Sequence, residues 1–149
     1  MQLGQLLKFR SILDSTAEVF GGVFMPLGRV SLRALPLDEH PAHGGAGLVR
    51  VARVARRGDL AGRCNFIDYA VVPPGGSIGD HRHAAGEEEL YLVLAGSAVM
   101  RLDGEEVRVG PGDLVRNRPG GVHSLRNDGP GDVELFVFEL EVEPCEPRR

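Results

Sequence analysis

The side chains with the most chemistry to offer are His81, His83, the carboxylate run Glu87-Glu88-Glu89, and His123 further along the chain. On an extended segment, residues two apart project to one side about 7 Å apart, so His81 and His83 can converge on a single ion. A carboxylate from the glutamate run and the imidazole of His123 would complete the set. Three neutral imidazoles and one carboxylate, with no thiolate, suit a divalent first-row ion: Fe, Mn, Ni, Co, Cu or Zn. On an octahedral ion, four such ligands leave two positions for water, substrate or dioxygen, whereas structural zinc prefers a closed four-coordinate site. The expectation is one divalent transition metal inside a small β-barrel.

Positioning these groups requires strands, and the punctuation of the chain supplies them. Twenty-one glycines and ten prolines are spread at intervals through 149 residues, as suits many short strands joined by tight turns. Strands are expected over 30–37, 48–57, 65–72, 77–83, 90–94, 97–102, 105–109, 114–118, 122–126 and 133–142. Asp103-Gly104 is a hairpin signal. Glu89 and His123 each open a strand, so the ligands would enter at strand ends near a barrel mouth. Residues 38–47, DEHPAHGGAG, are expected as a loop in which His40 and His43 are solvated. Residues 1–24 form an N-terminal extension, helical or poorly ordered, with Leu3, Leu6, Leu7 and Leu13 near helical spacing. Met25 is a candidate natural start. Residues 25–142 make one domain, and 143–149 a flexible tail.

Composition narrows the class. A formal charge of −4 and the lack of helix-turn-helix or zinc-finger spacing exclude an electrostatic nucleic-acid footprint. No apolar run approaches the roughly 20 residues that span a bilayer, and the N-terminus lacks a secretory pattern. Cys64 and Cys145 form neither a disulfide framework nor a zinc motif. A cytoplasmic protein is expected, with a small molecule as partner rather than nucleic acid or membrane.

Two motifs lie across this region. Gly75, five residues, His81-x-His83, five residues, Glu89, six residues and Gly96 resemble the first motif of the cupin superfamily, with one residue more than usual before the glutamate. Glu88 restores that gap but lengthens the next, so Glu89 is preferred and Glu88 is the alternative. Gly112, Gly120, His123 and Asn127 fall on the second cupin motif, its proline displaced by one to Pro119. The resemblance covers about residues 60–142. It implies an all-β double-stranded β-helix, a jelly-roll barrel that is often dimeric, with His81, His83, Glu89 and His123 around one divalent metal. It also implies dioxygenase or isomerase/cyclase chemistry, or non-catalytic binding as a sensor or storage module.

Other positions carry weaker expectations. Arg116-Asn117-Arg118 occupies a strand that cupins usually fill with apolar residues, so either Asn117 or the arginine pair faces inward. An inward Arg116 would clamp an anionic substrate. Tyr91 shares the Glu89 face as a candidate acid or hydrogen-bond donor. Asp113 and Asn127 are expected to hold turns, and Phe136 and Phe138 to pack the barrel.

Overall fold

A computed structural model describes residues 28–143. The expected N-terminal extension, Met25, Cys145 and all of the expected tail but Glu143 lie outside the described residues. The strands are β1 (Asp38–His40), β2 (Val49–Arg56), β3 (Cys64–Val72), β4 (Ser77–Arg82), β5 (Glu87–Ala95), β6 (Ala98–Leu102), β7 (Glu105–Val109), β8 (Leu114–Asn117), β9 (Val122–Arg126) and β10 (Val133–Glu141). They form two antiparallel sheets, one ordered β1-β2-β3-β10-β5-β8 and the other β4-β9-β6-β7.

Strict alternation puts one face of each strand into the space between the sheets. On β5 the buried residues are Glu89, Tyr91 and Val93; on β10 they are Val133, Leu135, Val137 and Glu139. Together with Val49, Val72, Met100 and Leu125 the apolar ones among them fill the core. Asp103-Gly104 turns β6 into β7 with φ values of +48° and +95°, the twist-matched hairpin turn that the dipeptide favours. The Asp103 carboxylate also accepts the Val122 backbone N–H at 2.9 Å.

Three expectations need correction. Residues 30–37 are not a strand: Leu32–Ala34 is a single 3₁₀ turn, closed by Leu35 N–H donating to the Leu32 carbonyl at 3.2 Å. Pro36 has no N–H to offer a ladder, and Leu32, Leu35 and Leu37 instead pack on Val54, Tyr69 and Val71, outside the barrel. Asp38–His40, expected in a loop, pairs with β2 from Asp38↔Val51 to His40↔Val49. Phe136 and Phe138 do not fill the barrel. They sit on the outer face of β10, ring centroids 6.0 Å apart, because Val137 and Glu139 take the inward parity.

Candidate metal centre

The site is one row of residues from each sheet. In the larger sheet, Phe66 pairs with Glu139, Glu139 with Glu89, and Glu89 with Asn117. In the smaller sheet, Leu102 pairs with His123 and His123 with His81. His83 follows the end of β4 on the same side as His81. A register shift between Ile78 and His81 moves both histidines into line with His123. That shift rests on Gly79, where a Cβ would come 2.2 Å from the His43 carbonyl oxygen.

The two rows bring the four expected ligands together. His83 Nε2 lies 3.0 Å from His123 Nε2. Glu89 Oε2 lies 3.1 Å from His83 Nε2, 3.2 Å from His123 Nε2 and 4.0 Å from His81 Nε2. Oε2 nevertheless makes no well-directed hydrogen bond, so these atoms face a common point rather than one another. An ion 2.0–2.1 Å from each ligand would hold right-angled neighbours about 3.0 Å apart, and three of the separations meet that test. The donor set fits a divalent first-row metal.

Outer partners fix the rings. A carbonyl only accepts, so at 2.9 Å from the Gly79 oxygen His81 Nδ1 carries the proton and leaves Nε2 free. His83 Nδ1 is 2.7 Å from Glu139 Oε2, and Glu139 Oε1 accepts from Asn65 Nδ2 at 2.9 Å. Glu139 was not foreseen. Its only signal in the sequence was an acid that continues the apolar row Val133, Leu135 and Val137. The sequence predicts a solvated His43, yet its ring stacks on His81 at 3.7 Å and 4°. Its loop is sewn to β4 by Ser77 N–H donating to the Ala46 carbonyl and Gly79 N–H to the Ala42 carbonyl.

The electrostatics follow from burial and these contacts. Burial alone would raise the Glu89 carboxyl, but the His123 and His83 imidazoles outweigh it and hold it at about 2. Burial pushes His81 down to about 4. His83 is raised, first by its contact with Glu89 and against burial. Burial and then the Glu89 charge push Tyr91 well up, so it remains a phenol. Tyr91 is 2% exposed and edge-on to His123 at 5.4 Å.

Arg116 and Glu88 lie elsewhere. Both take outward parity and pair with each other, the arginine side chain 61% exposed. Asn117 takes the inward position. Asp113 accepts the Gly110 N–H at 2.8 Å, and Asn127 ties Val72, Gly129 and Gly131, so both hold turns. His81, His83, Glu89 and Tyr91 line a cavity of about 490 Å³ whose remaining wall includes His40, Val51, Arg53, Phe66 and Asp68. Asp68 pairs with Arg53 through both carboxylate oxygens, and the guanidinium lies 4.4 Å above the Phe66 ring.

The family model described as the cupin domain matches residues 68–139. An oxalate-binding protein of Thermotoga maritima is 33% identical over 94 residues, 63% of this chain and 77% of that protein. The chain is a cupin. This cupin is also 34% identical to quercetin 2,3-dioxygenase of Bacillus subtilis over 92 residues, 51% of the chain but 27% of the relative. The crystal structure of a protein described as a predicted oxalate decarboxylase from Thermotoga maritima superimposes with a TM-score of 0.73 at 27% identity. That likeness covers 77% of the cupin and 100% of its neighbour. Among the described residues no helix is long and apolar enough to cross a membrane.

Proposed function

We propose that this cupin is a mononuclear metal-dependent enzyme acting on a small organic molecule through an anionic oxygen, by oxygenase or isomerase/cyclase chemistry. The observation that carries this reading is the convergence of His81, His83, Glu89 and His123 on one point, with His81, His83 and Glu89 on the wall of a cavity of about 490 Å³, a size that suits a small substrate. A first-row ion held by these four residues would supply Lewis acidity or oxygen activation. Phe66 and Val51 would hold the apolar part of the substrate and exclude water. The Arg53–Asp68 pair keeps the opposite wall polar without net charge. Tyr91, held protonated, is the candidate hydrogen-bond donor beside Glu89. Arg116 takes no part in this scheme, because it is engaged with Glu88 on the outer face.

The similarity to an oxalate-binding protein supports a second reading, a non-catalytic cupin that binds a metal or small ligand. The two separate in one experiment. Protein loaded in turn with Fe(II), Mn(II), Ni(II), Co(II), Cu(II) or Zn(II) is offered oxalate, other small carboxylates and polyphenols, with product formation and dioxygen uptake followed together. Metal-dependent turnover that His123→Ala abolishes is the expected result. Dioxygen uptake would assign oxygenase chemistry, and turnover unchanged without oxygen isomerase or cyclase chemistry. Saturable ligand binding without turnover on any metal would overturn the enzyme in favour of the binder.

A cytoplasmic homodimer completes the proposal. The register Leu114↔Leu92↔Phe136 and the adjacent Leu90↔Phe138 pair form an apolar patch on the outer face of the larger sheet, with Leu114 57% exposed. Leu114→Arg is expected to convert a dimer to monomer in light scattering. Among the described residues the half-buried Cys64 forms no disulfide, which accords with a reducing compartment.

A further inference from the structure

The histidines of the centre are supported unequally. His81 Nδ1 donates to the Gly79 carbonyl at 2.9 Å and His83 Nδ1 to Glu139 at 2.7 Å. Among the described residues His123 Nδ1 has no hydrogen-bond partner, although the residue is 1% exposed. Metal-ligating histidines almost always place the second ring nitrogen on a carboxylate, a carbonyl or water. A neighbour shares the anomaly. Asn117, 3% exposed, has neither Nδ2 nor Oδ1 bonded among the described residues. The chain satisfies a buried amide fully elsewhere: Asn127 donates to the Val72 and Gly131 carbonyls at 2.9 and 2.8 Å and accepts the Gly129 N–H at 3.0 Å. Buried polar groups left unpaired are rare, and each calls for a partner.

Asn117 and His123 line the same small cavity. It measures about 170 Å³, is partly open, has Asp103, Glu105, Arg116 and Arg118 among its other lining residues, and lies on the β8 side of the centre, apart from the larger cavity. Its polar lining selects its occupant. With Nε2 facing the other ligands, His123 Nδ1 carries a proton and only donates; Asn117 Nδ2 donates and Oδ1 accepts. At these three buried atoms a cation meets two donors, and a carboxylate leaves Oδ1 unmatched. A neutral molecule that both accepts and donates satisfies all three, whatever charged side chains line the rest of the pocket. At about 30 Å³ per molecule in the liquid, more than one water fits.

We infer that Asn117 and His123 Nδ1 form a second binding site, a back pocket for water or another small neutral donor–acceptor molecule, which serves as the outer partner of His123. The main cavity then meets the ligand set from one side and this pocket from the other. Asn117 is a positioning residue, acting on His123 through the bound molecule and not on substrate. The site does not depend on which reaction the larger cavity hosts.

The test uses the full-length Zn(II)-loaded protein. A high-resolution crystal structure is expected to show a bound molecule within hydrogen-bond distance of both Asn117 and His123 Nδ1. A formamide soak asks whether the pocket takes more than water, and formamide bridging the same atoms supports the site as directly as water does. In solution, Zn(II) affinity is read by chelator competition for Asn117→Leu, which fills the pocket with apolar atoms, and Asn117→Ser, which keeps a donor–acceptor and leaves room for water. Asn117→Leu is expected to weaken affinity by about tenfold or more, and Asn117→Ser by less than about threefold. The inference is overturned if no density bridges the two side chains, if Asn117 turns onto protein groups, or if Asn117→Leu binds within twofold of wild type. It is equally overturned if Asn117→Ser loses as much as Asn117→Leu, and should Asn117→Leu not fold, the crystal structure and Asn117→Ser decide.

Discussion

Replacing Glu139 by glutamine removes one charge and one acceptor from a site that uses two. Oε2 takes the proton of His83 Nδ1 at 2.7 Å and Oε1 takes one from Asn65 Nδ2 at 2.9 Å. A glutamine side chain presents one carbonyl and one amino group, so it can accept from only one of these donors and sets its own N–H against the other. If it keeps Asn65, His83 loses a charge-assisted bond in a setting where both side chains are at most 10% exposed. Such a bond contributes about 1.5–3 kcal/mol. At about 1.4 kcal/mol per factor of ten, Zn(II) or Co(II) affinity should fall by roughly 10- to 100-fold, the range known for outer partners of metal-ligating histidines. Chelator competition at fixed pH measures it, and the visible spectrum of the Co(II) form reports whether the ligand set changes. An affinity within twofold of wild type would refute the reasoning, because Glu139 would then be a spectator.

Glu89→Gln should abolish metal binding, while Glu88→Gln should leave it unchanged and cost at most about 1 kcal/mol in urea denaturation, the usual value of an exposed ion pair. The reverse order would make Glu88 the ligand. Metal affinity should fall with pH in two stages. His83 is raised by Glu89, so its proton competes from above the ordinary imidazole range and is displaced on binding; His81 and Glu89 compete only near about 4 and about 2. Calorimetry in buffers of differing ionisation enthalpy should therefore count more protons released per metal bound below pH 4 than at pH 6. Gly79→Ala forces a Cβ to within 2.2 Å of the His43 carbonyl, an overpacking that should cost about 1–3 kcal/mol and weaken metal binding by displacing β4. His43→Ala, which removes only the ring stacked on His81, should weaken metal binding while sparing stability within about 1 kcal/mol.

The convergence of the four candidate ligands was legible because their signal is local. His81 and His83 share a face by alternation, and His123 and Glu89 open strands marked by turns. Glu89 prevails over Glu88 because the extra loop residue lies before β5 and leaves the strand's own parity intact. What escaped the sequence depends on contacts between distant segments. His43 acquires its role only when the loop after β1 packs on β4 through glycines that let backbone approach backbone. Glu139 was masked by Phe136 and Phe138, whose size argued for the interior. In this barrel aromatic residues cover the outside of β10, while smaller Val137 and acidic Glu139 fit the crowded lumen. Asn117 and Arg116 could not be separated in the sequence, since either parity of β8 was open until the Glu89↔Asn117 pairing fixed it.

The two contributing rows belong to different sheets: three imidazoles come from the sheet holding β4 and β9, and the carboxylate comes from β5 in the other. An ion seated between them is a rivet across the barrel's seam. Metal-loaded protein should therefore resist prising apart of its two walls far more than fraying of its edges. Slowed hydrogen exchange should be concentrated along β4, β5 and β9, and loss of the ion should loosen the seam before it loosens either wall.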